Sequence, residues 1–349
     1  MPGSRLSPRK SLDLLVIGDC NPDVMVVGGD VTPAFAQQEK LVDGISLEIG
    51  GSASITAVAA ARLGLRVALA AAVGDDPAGR FMLGQLAAEG VDTAPVAVRP
   101  AAPTGMTVAL SAGGDRAILT ATGALSTLTA RDVPPELLGR ARHVHVSSYF
   151  LVADSLGPGL AELLGTARAS GASTSLDTNW DPAQRWGDER LAAALAHVSL
   201  LLPNEAEALH LAGGALGRAD GALGQAAALE QAVSALTAAG PRLVVKLGER
   251  GALGADGTRR YLAAPPSVSV TDTTGAGDCF NAGVIAGLLS GDDLPSAVAL
   301  GCAAGAASTR APGGTAGAPD LATTRDLARH VAVREVAPAP PAPPGAAVP

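Results

Sequence analysis

The segment Asp272-Thr-Thr-Gly-Ala-Gly-Asp278, continued by Cys-Phe-Asn281-Ala-Gly283, carries residue types that could handle a moving phosphoryl group. It follows a strand-like stretch at residues 268–271 and precedes a helical run of Ala, Gly and Leu, so it reads as a strand-to-helix turn. Gly275, Ala276 and Gly277 would leave main-chain N–H groups bare at a helix N-terminus, where unpaired donors and the helix dipole favour an anion. A carboxylate beside such a site is repelled by the bound anion unless it has its own task. Asp278 therefore has two readings: a general base that takes the proton of an attacking hydroxyl, or an acid that merely stabilises the helix start.

Five further clusters could serve the same chemistry. Gly50-Gly51-Ser-Ala-Ser54 sets two glycines before a helix, either for close approach of the backbone to a ligand or for helix packing. Gly18-Asp19-Cys20-Asn21-Pro22-Asp23 ends an apolar strand, where Asn21 and Asp23 offer a polyol donors and acceptors, or form an Asx turn. Leu176-Asp177-Thr-Asn179-Trp180-Asp181 ends another strand. In Pro203-Asn204-Glu-Ala-Glu207, the i, i+3 spacing puts Asn204 and Glu207 on one helix face, an arrangement equally suited to a ligand site and to helix capping; Glu205 is expected in solvent. Lys246-Leu-Gly248-Glu-Arg-Gly251 places a cation at a strand end, where it could meet a phosphate or snorkel to solvent. The only tryptophans, Trp180 and Trp186, could stack on a ligand or pack in the core.

The elements that must hold these residues follow from the pattern. Apolar runs at 14–17, 68–73, 143–146, 174–176, 200–202 and 243–247 alternate with helical stretches at 55–63, 80–89, 159–169, 205–211 and 226–238. This alternation predicts an α/β layered sandwich on a buried parallel sheet. Residues 107–111 and 115–120 flank Ala112-Gly-Gly114 and predict an antiparallel hairpin. With 48% hydrophobic but only 2% aromatic residues, packing falls to Ala, Val, Leu and Gly. Residues 1–11 and the Pro/Ala-rich 333–349 are expected to be flexible or disordered tails around one domain at 12–332.

The Asp272–Asp278 turn, together with Gly50-Gly51 through Gly64 and Ala71-Ala-Val-Gly-Asp-Asp-Pro-Ala-Gly79, resembles the two signatures of the ribokinase-like (PfkB) carbohydrate kinases. The resemblance covers nearly all of residues 12–330. It implies a three-layer α/β/α sandwich with a mostly parallel sheet and a small antiparallel β lid, from strands within about 24–48 and 104–122. It implies transfer of a phosphoryl group from ATP to an alcohol group of a sugar, with Asp278 as base and the Gly275, Ala276 and Gly277 amides as anion hole. Asn21, Asp23, Gly50, Gly51, Ser54 and Asn179 then fall at acceptor-binding positions. Asn204, Lys246, Gly248, Gly251, Asn281 and Ala307 fall at nucleotide-binding positions, with 302–309 and 311–315 around the adenine. Glu207 would organise Mg²⁺ through water, and Asp272 and Thr274 match positions that hold a monovalent cation such as K⁺. Three residues depart from the family pattern: Ile55 stands where Asn is common, Asp181 where several members have Arg, and Lys246 where many have Thr. The loss of an arginine argues for a neutral acceptor.

Other classes are excluded on the residues themselves. Lys plus Arg number 25 against 33 Asp plus Glu, a net charge of −8 that repels a nucleic-acid polymer. No G-x-G-x-x-G, Walker A loop, H-E-x-x-H or G-x-S-x-G occurs. His143 and His145 are expected to pack rather than bind metal. No apolar run is long enough for a membrane helix, and three scattered cysteines (20, 279, 302) point to a reducing cytoplasm. The expected partners are ATP and a small sugar or nucleoside, with a homodimer through the lid strands left open. A ribokinase- or fructokinase-type enzyme is the leading expectation; a nucleoside or inositol kinase, or a silent sugar-sensing protein, are the alternatives.

Overall fold

The computed structural model describes residues 10–112, 115–214 and 225–337. Its strands are β1 Leu12–Ile17, β2 Asn21–Val27, β3 Gly44–Gly50, β4 Val67–Ala70, β5 Ala72–Gly74, β6 Ala97–Arg99, β7 Met106–Ala112, β8 Asp115–Ala121, β9 Ala141–Val146, β10 Ser173–Leu176, β11 Leu200–Leu201, β12 Arg242–Lys246, β13 Ala252–Asp256, β14 Arg259–Ala264 and β15 Ala332–Val336. The helices are α1 Ser52–Arg62, α2 Pro77–Ala88, α3 Pro135–Arg140, α4 Tyr149–Ala169, α5 Glu189–Leu195, α6 Glu205–Gly214, α7 Gln225–Ala238, α8 Ala276–Ser290, α9 Leu294–Ser308 and α10 Leu321–Ala328.

Nine strands form the main sheet in the order β15-β14-β13-β12-β11-β10-β9-β1-β4. From β4 to β12 they run parallel, and β12 to β15 are antiparallel. Strand β1 shows why the layers are three. Leu15 and Ile17 are buried in a core shared with α4, α5 and α7, whereas Leu14 and Val16 are buried in one shared with α1 and α8. A strand apolar on both faces requires cover on both. The small residues let the helices approach closely: a Cβ on Gly283 of α8 would lie 2.8 Å from Gly301 Cα of α9. A second sheet, β3-β2-β7-β8, stands apart as the lid; its outer pairs are antiparallel and its central pair parallel.

Four expectations need correction. Residues 268–271 join no strand: Pro265 and Pro266 lack the N–H a ladder needs, and Thr271 and Asp272 donate instead to Thr309 O at the end of α9. Residues 333–336, expected in a tail, belong to β15, which pairs with β14. Helix α4 starts ten residues before its expected position and runs through Pro158; the carbonyl freed by the missing N–H belongs to the exposed Asp154, where water can satisfy it. The run at 68–73 splits into β4 and β5. The hairpin glycines 113–114 and the tails at 1–9 and 338–349 lie outside the described residues.

Candidate active site

Parallel strands deliver their C-terminal ends to one edge of a sheet, and ligands of such folds collect there. Asp19 and Asn21 follow β1, Ser148 follows β9, Asp177 and Asn179 follow β10, Asn204 follows β11, and Lys246 ends β12. The N-termini of α1 and α8 meet the same edge, as the hydrogen bond from Thr56 Oγ1 to Asp278 O shows (3.5 Å).

The turn into α8 is built around Gly275. Its φ is +70°, and a Cβ there would lie 2.6 Å from Gly314 O and 3.0 Å from Ile55 Cγ2, so the position admits only glycine. Ile55 is buried against the back of this turn and against Gly314, so it packs the cradle from behind. The Ala276 amide is already bonded to Thr273 O (3.2 Å). The Gly275 and Gly277 amides have no acceptor among the described residues. Asp272 braces the turn, accepting from Thr274 N (2.9 Å), Thr274 Oγ1 (2.7 Å) and Gly313 N (2.8 Å).

Asp278, in the first turn of α8, is 8% exposed. Burial and then the negative charge of Asp177 push its pKa well above the ordinary carboxylate value; Lys246 opposes the shift, Asp19 adds to it, and a hydrogen bond from Ser52 opposes it. A carboxylate so destabilised is a stronger proton acceptor than one in water.

Lys246 does not snorkel. Its Nζ is 2.6 Å from Asp177 Oδ2, and Asn281 closes the triangle by donating to the same oxygen at 2.5 Å. Asn281 is thus a partner of this ion pair. Burial works against the charge on Lys246, but Asp177 and Glu207 outweigh it and raise the pKa. The lysine side chain also passes Gly277, so the bare amide and the ammonium share one neighbourhood. Gly248 and Gly251, both at positive φ, fold the chain back directly after it.

Asn204 and Glu207 form a reciprocal cap on α6. The Glu207 carboxylate accepts from Asn204 N (2.8 Å) and Nδ2 (2.7 Å), while Asn204 Oδ1 accepts from Glu207 N (2.8 Å). Burial, followed by the charge of Asp177, pushes Glu207 up to about 7. Glu205, expected in solvent, is paired with Arg250.

On the lid side, Asn21 Nδ2 donates to Asp23 Oδ1 and Thr107 Oγ1, each at 3.1 Å, and Thr107 pairs onward with Thr120. The Asp23 carboxylate lies over Gly50, where a Cβ would fall 1.9 Å from its Oδ1. Ser54 is fully buried and donates to Asp19 O (3.2 Å), so its hydroxyl ties the first turn of α1 to the loop after β1.

The whole arrangement lies within one family pattern: the pfkB family carbohydrate kinase profile matches residues 11–321. The chain belongs to this family. Ribokinase from Haemophilus influenzae is 28% identical over 325 residues, covering 91% of this chain and 98% of the relative. The 2-dehydro-3-deoxygluconokinase of Bacillus subtilis is 30% identical over 297 residues, covering 80% and 86%. Among solved structures, the apo form of a putative ribokinase II from E. coli superposes with a TM-score of 0.78 at 24% identity, covering 91% of this chain and 99% of that one; its complex with ATP and Mg²⁺ gives 0.76. The protein is thus a carbohydrate kinase with a ribokinase-type fold.

Several residues of this kinase site carry more than their sequence suggested. Asp19 accepts from Ser52 N (3.0 Å) and Ala53 N (2.8 Å), filling the N-terminus of α1 from another element. Asn179 links Asp177, Ser52 and Ser148, while Thr107 bonds Asn21 in the lid sheet. Spacing could not reveal them, since their partners lie tens of residues away. Asp181, where several family members have Arg, is fully buried and accepts from Ala183 N, Arg185 N and Trp186 N, so it shapes its own loop. Trp186 is buried and stacked on His210, whereas Trp180 remains about half exposed. Ala307 is buried within α9. His143 and His145 bond to Ser173 and Ser175 as core groups. Among the described residues, no helix is long and apolar enough to cross a membrane, and no cluster of three His, Cys, Asp or Glu side chains forms a metal site.

Proposed function

We propose that this kinase transfers the γ-phosphoryl group of ATP to a hydroxyl of a small neutral sugar or sugar-like acceptor, with Asp278 as general base. The observation that carries the reading is the buried Asp278 carboxyl set one residue beyond the bare Gly277 amide, with Lys246 alongside. The acceptor O–H bond breaks as the new O–P bond forms, the proton passes to Asp278, and the bond from the γ-phosphorus to ADP breaks. The Gly275 and Gly277 amides and the Lys246 ammonium stabilise the charge on the transferring group.

Asn21, Asp23 and Thr107, on lid strands β2 and β7, supply the hydroxyl-binding groups. Asp181 stands where several family members have Arg, which disfavours an acceptor bearing a carboxylate or phosphate. Mg²⁺, bound with the nucleotide, supplies charge neutralisation at the phosphates. Glu207 fits a water-mediated role in holding it: an oxygen donor, buried, with an ionised form that a nearby cation would stabilise. The half-exposed Trp180 beside Asn179 favours a nucleoside as the second reading.

Coupled ADP release measured across neutral hexoses, pentoses, deoxysugars, inositols and nucleosides tests the acceptor class. Asp278→Asn should lower kcat by ~10²-fold or more at nearly unchanged ATP affinity. Near-wild-type turnover of that variant would remove Asp278 from the role of base.

A further inference from the structure

Ser52 and Ser148 lie far apart in sequence, yet both meet one amide group. Asn179 Nδ2 donates to Ser52 Oγ at 2.7 Å and to Ser148 Oγ at 2.8 Å. An amide nitrogen has two hydrogens, and both are spent here. Each serine oxygen that accepts such a hydrogen retains its own O–H to donate. The Ser52 hydroxyl bears on the Asp278 carboxyl, and the Ser148 hydroxyl on that of Asp19.

The backbone is held in uncommon states to achieve this. Asn179 and Ser148 both take left-handed φ values, +53° and +55°. Asparagine tolerates that region, but serine pays a steric cost there. Ser148 also stands at the N-cap of α4 without capping it: its hydroxyl is committed to Asn179 and Asp19 instead. The N-terminus of α1, where Ser52 is the first residue, is served by the Asp19 carboxylate, which leaves the Ser52 hydroxyl free of that task. Local strain and a diverted cap therefore converge on the hydrogen-bonded trio Ser148–Asn179–Ser52, and Ser52 stands one turn before Thr56, whose hydroxyl reaches Asp278 O.

We propose that Ser52 is a positioning residue for the phosphoryl-transfer reaction: oriented by Asn179, its hydroxyl donates to the Asp278 carboxylate and fixes the face that carboxylate turns to the acceptor hydroxyl. This rests on the reading of Asp278 as the base. The other groups bearing on Asp278 are Asp177 after β10, Lys246 on β12 and Asp19 after β1, with the buried Cys279 next to it on α8. Burial, then Asp177 and Asp19, disfavour its ionised form and Lys246 favours it, so Ser52 is one of several influences on this carboxyl. A donor to an ionised carboxylate stabilises it, and removal of that donor makes protonation easier.

The test is an infrared titration of the carboxylic acid C=O band that Asp278→Asn removes, read in the unliganded full chain. In Ser52→Ala the band should persist to higher pH than in the wild type, and Ser52→Thr, which retains the hydroxyl, should restore the original titration. With the best acceptor of the panel, Ser52→Ala should lose roughly 10-fold in kcat at neutral pH and regain it as pH rises, with KM for ATP unchanged. A band that titrates alike in wild type and Ser52→Ala, or the absence of any band that Asp278→Asn removes, overturns the proposal. Because the infrared readout needs no turnover, an active Asp278→Asn would sink the base reading while the titration still decides the Ser52 contact.

Discussion

Two glycine turns open helices at the edge of the same site, and they differ in what occupies them. At α1, the turn Gly50-Gly51 leads into the Ser52 and Ala53 amides, and the Asp19 carboxylate already takes both. At α8, the amides of Gly275 and Gly277 have no acceptor among the described residues, and a lysine stands beside them. Both turns share the local logic of bare N–H groups and a helix dipole. What separates them is a carboxylate supplied from a different strand. The first turn is filled from within; the second keeps two amides without an acceptor among the described residues, the place the proposed phosphoryl group would take. A glycine-rich helix start is thus only half of a phosphate site, and the rest of the fold decides whether the place is free.

The largest effect expected from breaking this contrast comes at the open turn. Gly275→Ala forces a Cβ toward Gly314 O and disturbs the cradle, and turnover should fall ~10²-fold or more, as when an anion-hole donor is lost. Steady-state kinetics with ATP would decide, and unchanged turnover would place the anion elsewhere. At the filled turn the expected loss is one of stability. Asp19→Ala leaves two amides without their acceptor, at about 1–3 kcal/mol in denaturant unfolding. An unaltered unfolding midpoint would mean that α1 does not depend on Asp19.

The start of α6 adds a third case and the smallest effect. There the helix supplies its own acceptor, Glu207, whose pKa is raised from the ordinary 4.5 to about 7. Between those values the folded chain binds more protons than the unfolded one, so this group's contribution to stability declines as pH rises through the window. Melting temperatures of Glu207→Gln across that window should decline less steeply than those of the wild type. Parallel curves would show that Glu207 is not perturbed in this way.

Much of this site was legible in the sequence because it lies in contiguous segments. The Gly50-Gly51 pair and Lys246 at a strand end announce a strand-to-helix and a strand-to-turn junction, and the Asp272–Asp278 turn announces the start of α8, though no strand precedes it. The alternating apolar runs likewise gave away the layered sheet. Asp19 and Asp177 were harder to weigh, because what each does is set by partners 33 and 69 residues away, the Ser52 amide and Lys246. That the Lys246 side chain turns inward follows from Asp177 and could not come from a strand pattern. Strand β15 was obscured for a related reason. Ala332–Val336 alternates weakly with two charged residues, and it is a strand only because β14 offers an edge, with Arg259 paired to Glu335 across it.

The ion pair of Lys246 has a consequence for covalent labelling. The chain has three lysines, at 10, 40 and 246. Burial lowers the pKa of Lys10, whereas the carboxylates around Lys246 raise its pKa despite burial. An ammonium held in that state presents no lone pair to an electrophile. Acylating reagents at neutral pH should therefore modify Lys10 ahead of Lys246, so the kinase can be coupled to a support through its lysines with the cleft chemistry left intact.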